Sequence, residues 1–211
     1  MSSDKKTSIS FAPNGPVLVK DLKNLSNQHG PIQTTETIAL CRCGASANKP
    51  YCDGSHAKIN FSSEKQSDRT EDKRETYRGV KITIHDNRSI CAHAGYCTDN
   101  LSDVFRMKQE PWIDPDAATN DEIIAAVEKC PSGALSYSID NIERIEQNTK
   151  TAIFIAPNGP YVLTGEADLV ETSFADGAAK KQLTLCRCGA SKNKPFCDGS
   201  HWAIDFTDEK N

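Results

Sequence analysis

Apolar positions fall in short alternating runs along this chain, and the runs occur twice. Residues 9–22 (ISFAPNGPVLVKDL) and 153–169 (IFIAPNGPYVLTGEADL) each place β-prone stretches on both sides of Pro-Asn-Gly. Asn-Gly between such stretches signals a hairpin, because both residues tolerate positive φ. A third β-prone stretch, TETIAL (35–40) or QLTL (182–185), follows in each copy. Each repeat therefore reads as about three short strands, too few to bury a core alone. The two are expected to pack together about a pseudo-two-fold axis.

The pattern changes between the repeats. Residues 62–76 (SSEKQSDRTEDKRET) are charged and almost free of apolar side chains, as in a linker or solvated segment. YRGVKITIHD (77–86) alternates like one strand, and ALSYSI (134–139) like another. TNDEIIAAVEK (119–129) predicts a helix, with Thr119 and Glu122 as a capping box and Ile123, Ile124 and Val127 on its apolar face. The expected organisation is a first module over 1–61, a charged linker over 62–76, a compact α+β insert over 77–140 and a second module over 141–211. In the last of these, residues 141–150 reconnect the insert. The fold class is α+β, with two small β-rich modules forming an intramolecular pseudo-dimer and the insert attached; the oligomeric state is left open.

Composition narrows the class of function. Hydrophobic residues make up 37% and charged residues 26%, so the chain is polar, and its net charge of −4 offers no basic stripe for nucleic acid. The apolar runs are far below the roughly 20 residues of a bilayer span. MSSDKKTSISF lacks the apolar core of a secretory leader, which places the protein in a reducing cytoplasm, most simply a bacterial one. Nine cysteines is an odd number and disfavours a fully disulfide-bonded chain. They fall into three groups: Cys41, Cys43 and Cys52; Cys91, Cys97 and Cys130; Cys186, Cys188 and Cys197.

The outer groups sit in LCRCGASANKPYCDGSH (40–56) and LCRCGASKNKPFCDGSH (185–201), which differ at two of seventeen positions. The spacing is C-x-C-x8-C-x3-H. The donors would be Cys41, Cys43, Cys52 and His56, and Cys186, Cys188, Cys197 and His201. Three thiolates and an imidazole suit tetrahedral zinc, although C-x-C is tighter than zinc knuckles usually open with, and it suits one iron of a dinuclear cluster. Free thiols are the remaining reading. The C-x-C pairs, Ser46 and Ser191, Pro50 and Pro195, and the Cys-Asp-Gly-Ser-His runs resemble the CDGSH iron–sulfur family, the mitoNEET-like proteins. That resemblance implies a [2Fe–2S] cluster in each copy. Cys41 and Cys43 would hold one iron and Cys52 and His56 the other; Cys186 and Cys188 would likewise face Cys197 and His201. Cys-Asp-Gly-Ser-His reads as a helix start with Asp53 or Asp198 as cap. Arg42, Lys49, Arg187 and Lys194 either offset cluster charge or form a solvated face. An imidazole ligand can be protonated off its metal, which predicts acid lability centred on His56 and His201.

The insert carries CAHAGYC (91–97) and CPSGAL (130–135). A Cys-rich run completed by a distant Cys-Pro occurs in bacterial ferredoxins. Residues 90–137, with Asp103-Val104-Phe105 and Cys130-Pro131-Ser132-Gly133-Ala134, resemble divergent single-cluster ferredoxins of the type that partner cytochromes P450. Ala94 stands where that family has its second cysteine. Cys91, Cys97 and Cys130 would then hold a [3Fe–4S] cluster, with [4Fe–4S] and a non-cysteine ligand as the alternative, and buried structural cysteines or zinc after that. His93 could reach a fourth iron, hydrogen-bond the cluster or face solvent. His29 and His85 lie outside any ligand spacing. Trp112 is expected in the core, and Trp202 in ordinary packing rather than over a cluster. No nucleophile, acid–base pair or phosphate loop stands out, so a catalyst is not expected. The expected function is electron transfer with a reductase or oxidoreductase as partner. The alternatives are cluster storage, transfer to an apo-protein acceptor or redox sensing, and, as a third class, a zinc scaffold.

Overall fold

The computed structural model describes residues 5–144, 149–175 and 177–211, so residues 145–148 of the reconnecting segment lie outside the described residues. The first repeat forms β1 (Ser8–Phe11), β2 (Val17–Lys20), β3 (Leu25–Asn27), β4 (Gly30–Ile32), β5 (Thr37–Leu40) and the one-turn helix α1 (Ser55–Lys58). The insert forms β6 (Arg74–Arg78), β7 (Thr83–Asn87), a 3-10 turn (Arg88–Ile90), α2 (Tyr96–Asn100), α3 (Asn120–Glu128), β8 (Leu135–Ile139) and β9 (Ile142–Arg144). The second repeat forms β10 (Ala152–Ile155), β11 (Tyr161–Thr164), β12 (Asp168–Leu169), β13 (Gln182–Leu185) and α4 (Ser200–Ala203). No helix among the described residues is long and apolar enough to cross a membrane.

Both Pro-Asn-Gly hairpins form. β1 pairs antiparallel with β2, Phe11 opposite Val17, and β10 with β11, Ile155 opposite Tyr161. The Ala12 N–H donates to the Pro16 carbonyl at 3.0 Å, and Ala156 to Pro160 at the same distance. The left-handed residue is the asparagine in each, Asn14 and Asn158, both at φ 47°. Asn adopts this conformation more readily than other non-glycine residues, because its short side chain bonds locally.

The repeats exchange strands. β3 lies parallel to β10, Leu25 opposite Ile153, and β12 lies parallel to β1, Asp168 opposite Ser8. The sheets therefore run β12-β1-β2-β5 and β13-β11-β10-β3-β4, each drawing on both repeats. Their inward residues share one core: Ile9, Val17, Val19, Leu25 and Leu40 cluster with Ile153, Ile155, Leu163, Leu183 and Leu185. Each such fully buried aliphatic side chain contributes on the order of 1.5–3 kcal/mol. A unit of three strands could not enclose them, and the neighbour does.

The insert is a four-stranded antiparallel sheet, β6-β7-β8-β9, with α3 packed on it through Ile123, Ala126 and Val127. The capping box is present: Thr119 Oγ1 accepts the Glu122 N–H at 3.4 Å, and Glu122 Oε2 accepts the Thr119 N–H at 2.9 Å. The stretch expected as one strand over 77–86 is a hairpin, closed by the Gly79 N–H donating to the Ile82 carbonyl at 2.9 Å. Its first strand begins at Arg74, inside the expected linker. As an edge strand, β6 leaves Arg78 exposed and pairs Arg74 with Glu143 on β9, so charge did not exclude it.

Candidate metal centres

In each repeat the strand before the motif delivers the C-x-C pair, and a one-turn helix delivers the Cys/His pair. Cys41 and Cys43 leave β5 with their sulfurs 3.6 Å apart; Cys186 and Cys188 leave β13 with theirs 3.9 Å apart. Gly54 and Gly199 take φ of 86° and 83°, a left-handed step that starts α1 and α4. That step brings His56 Nδ1 to 3.3 Å from Cys52 Sγ and His201 Nδ1 to 3.5 Å from Cys197 Sγ. The helix starts fall where expected, but the aspartates are not the N-caps. The glycines hold that position, and Asp53 and Asp198 sit one residue earlier. Asp53 accepts the N–H groups of Ser55 at 3.0 Å and Ala47 at 2.8 Å, and Asp198 those of Ser200 at 3.0 Å and Lys192 at 2.7 Å. Each aspartate thus ties its helix to the loop before it. The Ser55 hydroxyl, and then these N–H groups, hold the Asp53 carboxyl well below the usual range. Burial acts to raise that of Asp198, and its bonds from Ser200 and Lys192 more than offset this.

The solvated-face reading of the basic residues fails for three of the four. Arg42 is 4% exposed and donates to the carbonyls of Gly15 at 2.6 Å and Ala12 at 2.7 Å. Arg187 is 1% exposed and donates likewise to Gly159 and Ala156. Each guanidinium clamps the Asn-Gly turn of its own repeat. Lys194 is also buried, its ammonium on the Ser191 carbonyl at 2.6 Å. Lys49 makes the corresponding bond to Ser46 from a more open position.

The two C-x-C-Gly loops meet face to face. A Cβ on Gly44 would overlap the Cys188 carbonyl oxygen, and one on Gly189 would lie 2.5 Å from the Cys43 carbonyl oxygen. Tyr161, fully buried, donates its hydroxyl to the Cys41 carbonyl at 2.7 Å. Arg187 also pairs with Asp208. Motif spacing gave no signal for Tyr161 or Asp208, since both lie outside the seventeen-residue segments.

The central cysteines line one cavity of about 680 Å³, together with His93, Ala94, Gly95, Arg88, Trp112 and Ser132. Cys91 and Cys97 each lie close enough to Cys130 for their charges to interact. Ala94 offers no donor atom. His93, at φ 51°, turns its ring toward the second repeat: a Cβ on Gly199 would lie 2.8 Å from His93 Cδ2. Trp202, 63% exposed, donates its indole N–H to the His93 carbonyl at 3.2 Å and tilts against His201 with ring centroids 5.0 Å apart. Its contacts are therefore to a donor residue and to the insert. Trp112 packs among Tyr77, Phe105 and Arg88 in the insert core, as expected. His85 is bonded within its sheet to Thr76 and Ser138, and His29 is exposed.

Burial pushes the Cys43 thiol up to about 11, and those of Cys91 and Cys197 up to about 12. Such thiols are inert without a metal and lose their protons when one binds. Nearby backbone amides act against that rise, Ala45 on Cys43, Gly199 on Cys197, His93 on Cys91 and Thr98 on Cys97. Gly54 donates to Cys52 Sγ at 3.5 Å. Buried thiols ringed by amide donors fit an anionic thiolate-held metal group.

The family described as iron-binding zinc finger, CDGSH type, matches residues 14–57 and again 158–202. A divergent 4Fe-4S mono-cluster family matches residues 77–140. Among curated proteins, the uncharacterized protein YjdI of Escherichia coli K12 and that of Escherichia coli O157:H7 are each 39% identical over 61 residues, which is 29% of this chain and 80% of theirs. With both Cys/His groupings and the cysteine-lined insert in place, the chain belongs to the CDGSH iron-binding family, as a tandem member whose two motifs flank a divergent 4Fe-4S mono-cluster domain.

Proposed function

We propose that this protein is an electron-transfer protein with three iron–sulfur centres and no catalytic role of its own. Cys41 and Cys43 face Cys52 and His56 around one [2Fe–2S] core, and Cys186 and Cys188 face Cys197 and His201 around another. Cys91, Cys97 and Cys130 hold a [3Fe–4S] core. The observation carrying this reading is the pairwise arrangement of the repeated donors. Among the described residues no three Cys, His, Asp or Glu side chains gather about one point, as a single tetrahedral ion at about 2.3 Å from each sulfur would require. A Cys/Cys pair beside a Cys/His pair suits two irons, and three cysteines around a roomy cavity suit a cuboid core. When bound, the clusters supply one-electron redox chemistry. The chain's residues hold the thiolates in place, aim amides at them and shut water out of the C-x-C side. The two repeats act as halves of one pseudo-symmetric body, and the outside partner is a reductase or oxidoreductase.

Iron and sulfide analysis tests the reading. About seven irons per chain are expected, about eight would indicate a four-iron central core, and about four would remove the central centre. An EPR signal from the oxidised protein is expected from the three-iron core, since oxidised two-iron cores are silent. A second reading, cluster delivery to an apo-protein, is favoured by one observation: His56 is partly exposed whereas His201 is buried. Mixing holo protein with apo-ferredoxin separates the two readings. Intact transfer supports delivery, and repeated cycling with a reductase without cluster loss supports the carrier.

A further inference from the structure

The two CDGSH motifs are nearly identical in sequence, yet they differ in what touches them. A Cβ placed on Gly54 meets nothing within 4 Å, whereas one on Gly199 runs into the His93 side chain at Cδ2, Cβ and Cγ, 2.8–3.2 Å away. Gly199 is midway between the donors Cys197 and His201, and His93 is two residues after the donor Cys91. The contact therefore joins the middle of one donor loop to the middle of another. Three hydrogen bonds fasten the same seam. Trp202 donates to the His93 carbonyl at 3.2 Å, Asn193 to the Ser89 carbonyl at 2.6 Å and Gln182 to the Cys130 carbonyl at 2.5 Å. Gly133, three residues past Cys130, has no room for a Cβ against Gln182 and Ala179. Cys91 is also near enough to Cys197 for the two thiols to influence each other.

We infer that the central cysteine set and the second CDGSH set form one coupled redox pair across this seam, with His93 as the positioning residue; the first CDGSH set meets the second at the C-x-C-Gly loops and has no corresponding contact on Gly54. The inference rests on the three-centre reading above. One electron leaves one centre of the pair and arrives at the other. No bond forms or breaks and no proton moves, and the electron enters from an external one-electron reductant. His93 does two things at the seam. Its ring fills the space over Gly199, and its carbonyl anchors the indole that lies against His201.

The test is EPR power saturation on the full-length holo protein during stepwise reduction with dithionite. Two reduced CDGSH components are expected, one relaxing fast because the central paramagnet is close, and one relaxing more slowly. The Cys197→Ser variant should lose the fast component and Cys52→Ser the slow one. Emptying the central set with Cys97→Ser and Cys130→Ser should slow the fast component while leaving both present. If both components saturate alike in fully loaded protein, or the fast one is lost with Cys52→Ser, the coupling is overturned while the three-centre reading stands. An iron content of about four without a central signal overturns the three-centre reading itself. His93→Ala and His93→Gln guard against misfolding of the serine variants. At unchanged iron and sulfide content, the alanine variant should slow the fast component and the glutamine variant, which still fills the seam, should keep it. Unchanged relaxation in His93→Ala removes the role assigned to that residue.

Discussion

The first and second CDGSH sites share fifteen of seventeen residues but differ in several of the groups packed around them. Arg42 and Arg187 clamp equivalent turns, but only Arg187 is joined to Asp208, where the first repeat has Ser63 on the corresponding asparagine. Both guanidiniums also lie over rings, Arg42 over Phe11 and Phe61 and Arg187 over Tyr161 and Phe206. Tyr161 occupies the position that Val17 holds in the first hairpin, and reaches across to Cys41. Trp202 stands where the first motif has Ala57. The motif fixes the donors and their spacing. The neighbours decide which site is sealed, which is open and which touches the insert.

The largest difference between the halves should come from the buried ion pair. Asp208→Ala leaves Arg187 charged and buried, and should cost about 3–5 kcal/mol. Ser63→Ala should cost no more than about 1 kcal/mol, because its bonds to Asn14 are exposed to water. Urea unfolding of the two variants measures this, and equal losses would refute the asymmetry. Next comes the contact where the halves should behave alike. Gly44→Ala and Gly189→Ala each combine a left-handed backbone with a clash on the opposite loop, and each should cost about 2–4 kcal/mol. A large effect in one and a small one in the other would mean that the loops do not meet reciprocally.

Tyr161→Phe removes the hydroxyl that bridges from the second repeat to the Cys41 carbonyl, at a cost of about 1–1.5 kcal/mol. Thermal melts read the loss, and visible absorption should shift with the first cluster rather than the second. The smallest effect concerns acid. Burial lowers the pKa of His201, so its protonation, and any release that follows, moves to more acid pH. His56 is the more exposed of the two imidazoles. The first cluster should therefore be lost a few-fold faster near pH 5, a barrier difference below about 1.4 kcal/mol. Absorbance decay in His56→Cys and His201→Cys checks this: the His56 change should remove the faster phase, and a single phase in the unaltered protein would contradict it.

The Cys/Cys and Cys/His groupings were legible in the sequence because each lies within five residues, a spacing the local backbone can close. Helix α3 was legible for a similar reason, since its capping box closes over Thr119 to Glu122. What stayed hidden is non-local. Nothing in Leu25–Asn27 says that it pairs with a strand some 130 residues later, and the two-residue β12 is too short to carry any period. The Gly79–Ile82 turn was hidden by alternation that continues through it, and β6 by charges that an edge strand tolerates. His93 was singled out for its nearness to a missing cysteine. Its orientation depends on Gly199, more than a hundred positions away, and no spacing rule reaches that far.

The strand exchange also sets what becomes of a broken chain. Leu25–Asn27 and Gly30–Ile32 belong to the second sheet, and Asp168–Leu169 to the first. A single proteolytic nick in the charged segment before Arg74 would therefore divide the polypeptide without separating its parts. The two fragments would stay interlocked through each other's sheets, migrating as one particle in native solution and as two only after denaturation.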